Sequence, residues 1–204
     1  MKKRFRQSNA TRTVNQRVLI LCEGSVTEPQ YFNALKSDKS NSDKLSALRI
    51  IVHNSKFTSA KELVDEALEL KKNAAREYNE YNAIWVVVDR DNYTKHDEAF
   101  KRASDTKIHI AFSSPCFEFW FLLHFVYSTA PHSSFESLNK VLKTHLPDYE
   151  KTSEIYHVLK SHQNKAIEHS KKIRTHHSNT SDLPIWKLNP YTNVGELVEF
   201  LLGL

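Results

Sequence analysis

Glu23 and Glu28 fall in VLILCEGSVTEPQYF, and Asp89 and Asp91 stand one residue apart in IWVVVDRDNY. Both motifs begin with an apolar run, a setting in which an ionised carboxylate is costly to desolvate unless a cation or hydrogen bonds compensate. A hard divalent cation, Mg²⁺ or Mn²⁺, is that compensation. Three carboxylates around such an ion leave positions for water and phosphate oxygens, which is the chemistry of phosphoryl transfer. Glu23, alone at its own strand end, is the candidate for proton transfer. A structural ion-pair network using Arg90, between the two aspartates, is the competing reading.

Such a site wants phosphate-facing groups as well. Gly24 lets the backbone approach a phosphate closely, and Thr27 either caps the following helix or offers its hydroxyl. Arg90, Lys95, Lys56 and Lys151 are the available cations for developing charge, and spacing does not choose among them. His124 lies in the apolar stretch FLLHF and reads as a core histidine rather than a ligand. His157, His162, His169, His176 and His177 match no zinc spacing and read as solvated or phosphate-contacting surface.

The elements that must hold these residues alternate. Apolar runs at 17–22, 47–52, 83–88 and 107–112 read as strands, the first almost wholly apolar as in a strand covered on both faces. Helical periods at 28–36, 58–78, 95–103 and 117–125 follow them, the second opened by Ser or Thr capping candidates. The pattern is α/β with a Rossmann-like core of about four mainly parallel strands. Ligands gather outside the carboxyl ends of parallel strands, so Glu23 and the Asp89–Asp91 pair are expected on one edge. Segments 134–145, 153–159, 163–173 and 194–202 read as helical only, with NPYTN a turn before the last helix, capped by Thr192 or Asn193.

A chain of 204 residues with 40% hydrophobic content supports one principal core. The expected division is a basic tail at 1–16, an α/β core at 17–130 and a helical part at 131–204 packed on it. Three glycines, six prolines and no repeat exclude collagen-like and solenoid architectures. The formal charge of +5, with Lys2, Lys3, Arg4, Arg6, Arg12 and Arg17 and no acid in the first 17 residues, favours polyanionic partners, though a solvated tail is equally compatible. Two cysteines, no signal-peptide pattern and no apolar stretch long enough to span a bilayer lead to the expectation of a reduced, cytoplasmic protein with no membrane insertion.

The order of E-G-x-x-T-E after the first strand and D-x-D after a later one resembles the Toprim fold of topoisomerases, bacterial primases and overcoming-lysogenization-defect nucleases. CEGSVTEPQYFNAL, VVVDRDNY, SSPCFEFWFLLHF and NPYTNVGELV together resemble more closely the RloB-like family, which includes abortive-infection proteins of bacterial phage defence. These blocks run from about Val18 to the C-terminus. The resemblance implies Glu23 as the general acid or base, Asp89 and Asp91 as metal ligands, and Glu28 as the second acid of the nuclease-type pattern. It implies Glu118 as a second-metal ligand, against a capping or buried paired acid, and it favours Lys151, in LPDYEKTSEIY, as the catalytic cation. The NPYTN turn is implied as an element closing the site.

The D-x-D alone also fits haloacid-dehalogenase-type phosphatases and glycosyltransferases, but in the former it follows the first core strand, and the latter do not require the E-G-x-x-T-E block. The chain has no room for a topoisomerase's tyrosine domain and no zinc module of a primase. The expectation is a metal-dependent endonuclease acting on RNA, such as tRNA, or on DNA. The alternative is a non-cleaving nucleic-acid-binding or sensor subunit governed by a separately encoded ATPase, since the chain has no G-x-x-x-x-G-K-[ST] loop. Association into an oligomer is left open.

Overall fold

The computed structural model describes residues 16–90 and 95–203. The chain alternates β1 (Gln16–Cys22), α1 (Thr27–Ser37), α2 (Ser42–Leu45), β2 (Leu48–Asn54), α3 (Ala60–Arg76), β3 (Ala83–Asp89), α4 (His96–Thr106), β4 (His109–Ser114) and α5 (Glu118–Leu123). It continues through α6 (Phe135–Leu142), α7 (Tyr156–Leu159), α8 (Gln163–Thr180), β5 (Tyr191–Thr192) and α9 (Val194–Leu202). Mixed α/β architecture therefore follows from the alternating apolar runs and amphipathic periods.

The five strands form one sheet in the order β2-β1-β3-β4-β5. β1 pairs in parallel with both β2 and β3, so Cys22 is level with Asn54 on one side and Val87 on the other. Its residues Val18 to Cys22 are at most 1% exposed, which is why that strand carries no polar alternation. β3 pairs in parallel with β4, aligning Asp89 with Ser113. The chain leaves β1 for its outer neighbour β2, then crosses back to β3 on β1's other side. The order thus reverses at the β1–β3 boundary, the place in an open α/β sheet where a crevice forms beyond the strand ends.

The fifth strand corrects the reading of the region beyond 131 as helical only. Tyr191 and Thr192 pair antiparallel with Ser114 and Ser113. A two-residue strand next to Pro190 has no periodicity to read, and its pairing is made by residues some eighty positions away. Asn193 occupies the N-cap position of α9 without capping it. Its side chain accepts from the Phe112 N–H at 2.7 Å and donates to the Ile110 carbonyl at 3.0 Å. Thr192 places its hydroxyl 3.1 Å from Ser113 Oγ and accepts there from the Val194 N–H at 3.2 Å. NPYTN is therefore a sheet edge rather than a simple turn.

The same hydrophobic cluster runs from the sheet through α5 and α8 to α9, with Trp120, Phe32, Phe112, Phe117 and Phe119 among its largest buried side chains. Gly195 lets α9 approach α8: a Cβ there would meet Ser170 Cβ at 2.9 Å. Ser59 caps α3, accepting from the Glu62 N–H at 3.3 Å, as the sequence led one to expect for that helix start. Among the described residues no helix is long and apolar enough to cross a membrane.

Candidate functional site

The ends of β1, β3 and β4 bring acids together. Glu23 follows β1 and continues its pairing, donating its N–H to the Val87 carbonyl at 3.1 Å. The Asp89 N–H in turn donates to Glu23 Oε2 at 3.1 Å, so the two strand ends are tied through a carboxylate at the order reversal. Glu118 opens α5 and is 2% exposed, and Glu28 sits in the first turn of α1 at 5% exposed. Sequence-distant acids thus share one edge because parallel strands end level with one another.

Electrostatics records their proximity. Burial raises the Asp89 carboxyl well above the usual carboxylate range; the charges of Glu28, Glu118 and Glu23 push it further, while the Phe117 N–H pulls it back. Burial also raises Glu28, its own backbone N–H lowers it, Glu118 raises it, and the Gly24 N–H and the Lys151 charge lower it. Asp89 Oδ1 is buried with no hydrogen-bond partner, a costly state for a polar oxygen. The Cys22 and Cys116 thiols beside these acids are free, buried and pushed upward by burial first and then by Glu28 and Glu118 respectively, so neither is a poised thiolate.

Gly24 lies in the bend between β1 and α1, and its missing side chain also serves a neighbour. A Cβ at this position would lie 2.0 Å from Glu28 Oε2, so the missing side chain makes room for the Glu28 carboxylate folding back from the next turn. Thr27 does not cap α1, since the N-cap position is Val26 and carries no side-chain cap bond. The Thr27 hydroxyl donates instead to the Lys151 carbonyl at 3.2 Å, holding the segment that carries Lys151 against the start of α1. The Lys151 ammonium lies 4.4 Å from the centre of the Phe135 ring.

Tyr149 was not singled out by sequence, yet it is 1% exposed and its hydroxyl donates to Glu118 Oε1 at 3.0 Å. Its only sequence signal is its place two residues before Lys151. The Phe117 N–H facing Asp89 was likewise unread, because backbone donors carry no residue signature. Arg90 and Lys95 are exposed on either side of residues 91–94, and Arg90 extends the strand by donating its N–H to the Ser113 carbonyl at 2.8 Å. Asp91 lies outside the described residues, as do Lys2, Lys3, Arg4, Arg6 and Arg12. Lys56 lies over the Phe57 ring at 5.4 Å from its centre.

The histidines divide in a way the sequence did not reveal. His124 is fully buried, with Nδ1 2.9 Å from the Trp120 carbonyl oxygen, and burial pushes it down to about 3. His169 is buried rather than solvated, with Nδ1 2.8 Å from the Leu123 carbonyl oxygen, and His177 Nε2 lies 2.7 Å from the Pro190 carbonyl oxygen. These two rings tie α8 to α5 and to the chain before β5, because α8 lies inside the C-terminal packing.

An all-oxygen donor set in which the Asp89 and Glu28 carboxyls are raised and one Asp89 oxygen is orphaned suits a hard divalent cation in donor chemistry. Among the described residues, no group of three or more His, Cys, Asp or Glu side chains is already arranged to hold an ion. The chain matches the family model for RloB-like proteins over residues 18–201. No curated protein and no solved structure matches it significantly. The chain belongs to the RloB-like family.

Proposed function

We propose that this RloB-like chain is a Toprim-type, metal-dependent nuclease acting on RNA, such as tRNA, or DNA, in phage defence by abortive infection. The observation that carries the reading is the crowding of Glu23, Glu28, Asp89 and Glu118 at one strand edge, with Asp89 Oδ1 buried and unpartnered. Repelling carboxylates are retained where a bound cation repays them. Asp89, Asp91 and Glu23 would hold Mg²⁺ or Mn²⁺, with Glu28 and Glu118 available to a second ion. When bound, the metal supplies charge neutralisation and an activated water for phosphodiester hydrolysis.

The chain's own residues do the rest. Glu23 takes or returns a proton beside the reacting phosphate, while the Asp89 N–H orients its carboxylate. Tyr149 holds Glu118 in one rotamer, and Thr27 fixes the segment that delivers the Lys151 charge. Arg90 and Lys95, exposed on either side of residues 91–94, meet the flanking phosphates. Labelled tRNA, single-stranded RNA and plasmid DNA, incubated with Mg²⁺ or Mn²⁺, should be cleaved by the wild type and left intact by Asp89→Ala. Equal cleavage by the wild type and Asp89→Ala would sink the nuclease reading.

A second reading is a nucleic-acid-binding or sensor subunit whose activity a separately encoded ATPase governs. It is favoured by the small size of the chain and by the sequence's lack of a G-x-x-x-x-G-K-[ST] loop, so that nucleotide-driven control would need another protein. Metal-dependent cleavage by the purified chain alone separates the two.

A further inference from the structure

Beside the carboxylate edge, a cavity of about 630 Å³ opens between α1 and the segment 153–157. That volume lies within the range of roughly 300–1,000 Å³ for small-ligand sites. Its lining includes Tyr31, Ala34, Phe121, Ile155 and Tyr156, together with Ser25, which follows β1, and Asn54, which ends β2. None of the Glu23, Glu28, Asp89 and Glu118 carboxylates lines it, but Thr27 does. Thr27 is the shared wall: its hydroxyl holds the Lys151 carbonyl, and its side chain acts on the Tyr149 hydroxyl that binds Glu118.

The cavity's chemistry differs from that of the edge. Among its described lining residues there is no lysine or arginine, whereas Glu154 supplies a carboxylate, Asn33 and Asn54 supply amides and His157 an imidazole. A phosphate would find no cation there, but a planar, uncharged heterocycle with donors and acceptors on its rim would find apolar walls and polar partners. The adjoining acids have the opposite preference, for a phosphate bridged by a cation.

We propose that this cavity receives one nucleoside of a single-stranded nucleic acid, next to the phosphate that reaches the carboxylate edge. The assignment rests on the nuclease reading for the position of that phosphate, and it names the part of the substrate the protein grips. A base enters a walled site most readily from a single strand, since a duplex base must first be unpaired and unstacked.

The test uses fluorescence anisotropy with labelled single-stranded RNA and DNA decamers in Ca²⁺, each compared with versions carrying an abasic site at one position in turn. Loss of one particular base should weaken binding roughly tenfold, the scale of a single stacked base. Ala34→Trp, which fills the cavity from α1, should weaken the parent strand to a similar extent. Ser37→Trp, at the exposed end of the same helix, repeats the block without touching the core. Abasic strands that all bind as well as the parent, both Trp variants binding like the wild type, or no strand binding at all would each overturn the assignment. Free nucleosides that saturate the protein while strands do not bind would also overturn it. Cleavage in Mg²⁺ is read separately: a positional abasic penalty without cleavage keeps the cavity and removes the nuclease, and cleavage without the penalty does the reverse.

Discussion

Where α8, α9 and the end of β4 meet, Ser170 donates to the Thr192 carbonyl at 3.0 Å, Asn193 bridges Phe112 and Ile110, and His169 meets the Leu123 carbonyl. At the carboxyl ends of β1 and β3, by contrast, Asp89 and Glu28 are raised by burial and by other carboxylates, and Asp89 Oδ1 has no partner. Both regions bury polar groups beside the same sheet. In the first, Ser170, Asn193 and His169 each find a backbone partner, and these bonds specify how the C-terminal helices dock. The second concentrates one sign of charge, which destabilises the fold by itself and makes sense as a place prepared for positive charge.

The contrast breaks first at Asn193. Asn193→Leu should cost about 3 kcal/mol in chemical denaturation, because a buried N–H and a buried carbonyl both lose their partner. A loss near zero would mean that the paired region is held by apolar contact alone. At the carboxylate edge, Gly24→Ala should lower cleavage roughly a hundredfold, the scale of an ångström-sized misplacement of a catalytic group. Its new Cβ displaces the Glu28 carboxylate, so circular dichroism and melting temperature should change little while activity falls.

His124 sharpens the neutral side. Its folded value, near 3, is below the unfolded value of about 6.5, so its contribution is present above the unfolded value and lost as pH falls toward the folded one. Between pH 7 and pH 5 this should remove about 2 kcal/mol of unfolding free energy. His124→Gln should flatten that slope, and an unchanged slope would assign the acid sensitivity elsewhere. The smallest effect has the opposite sign: metal-free Asp89→Asn should be more stable than the wild type by about 1 kcal/mol while losing cleavage. A destabilised Asp89→Asn would place Asp89 among the structural polar groups and dissolve the contrast.

Most of the sheet could be read from local signals. Val86, Val87 and Val88 favour extended backbone, and the apolar runs stop where Glu23 and Asp89 begin, so two of the acids could be placed at strand ends from spacing alone. β5 could not, because Tyr191 and Thr192 are too few for a period and owe their pairing to β4 and Asn193. The reason for Gly24 was also hidden, since it depends on the rotamer of Glu28.

By itself, then, the sequence determined the acids, the family and the strand ends that carry them, all of which follow from short-range patterning of apolar and charged residues. Only the tertiary structure decided that Tyr149 holds Glu118, that His169 is a core strut, and that a cavity without lysine or arginine among its described lining opens across Thr27 from the acids. These are meetings between residues far apart in the chain, and packing around a common core, not local propensity, determines which of them touch.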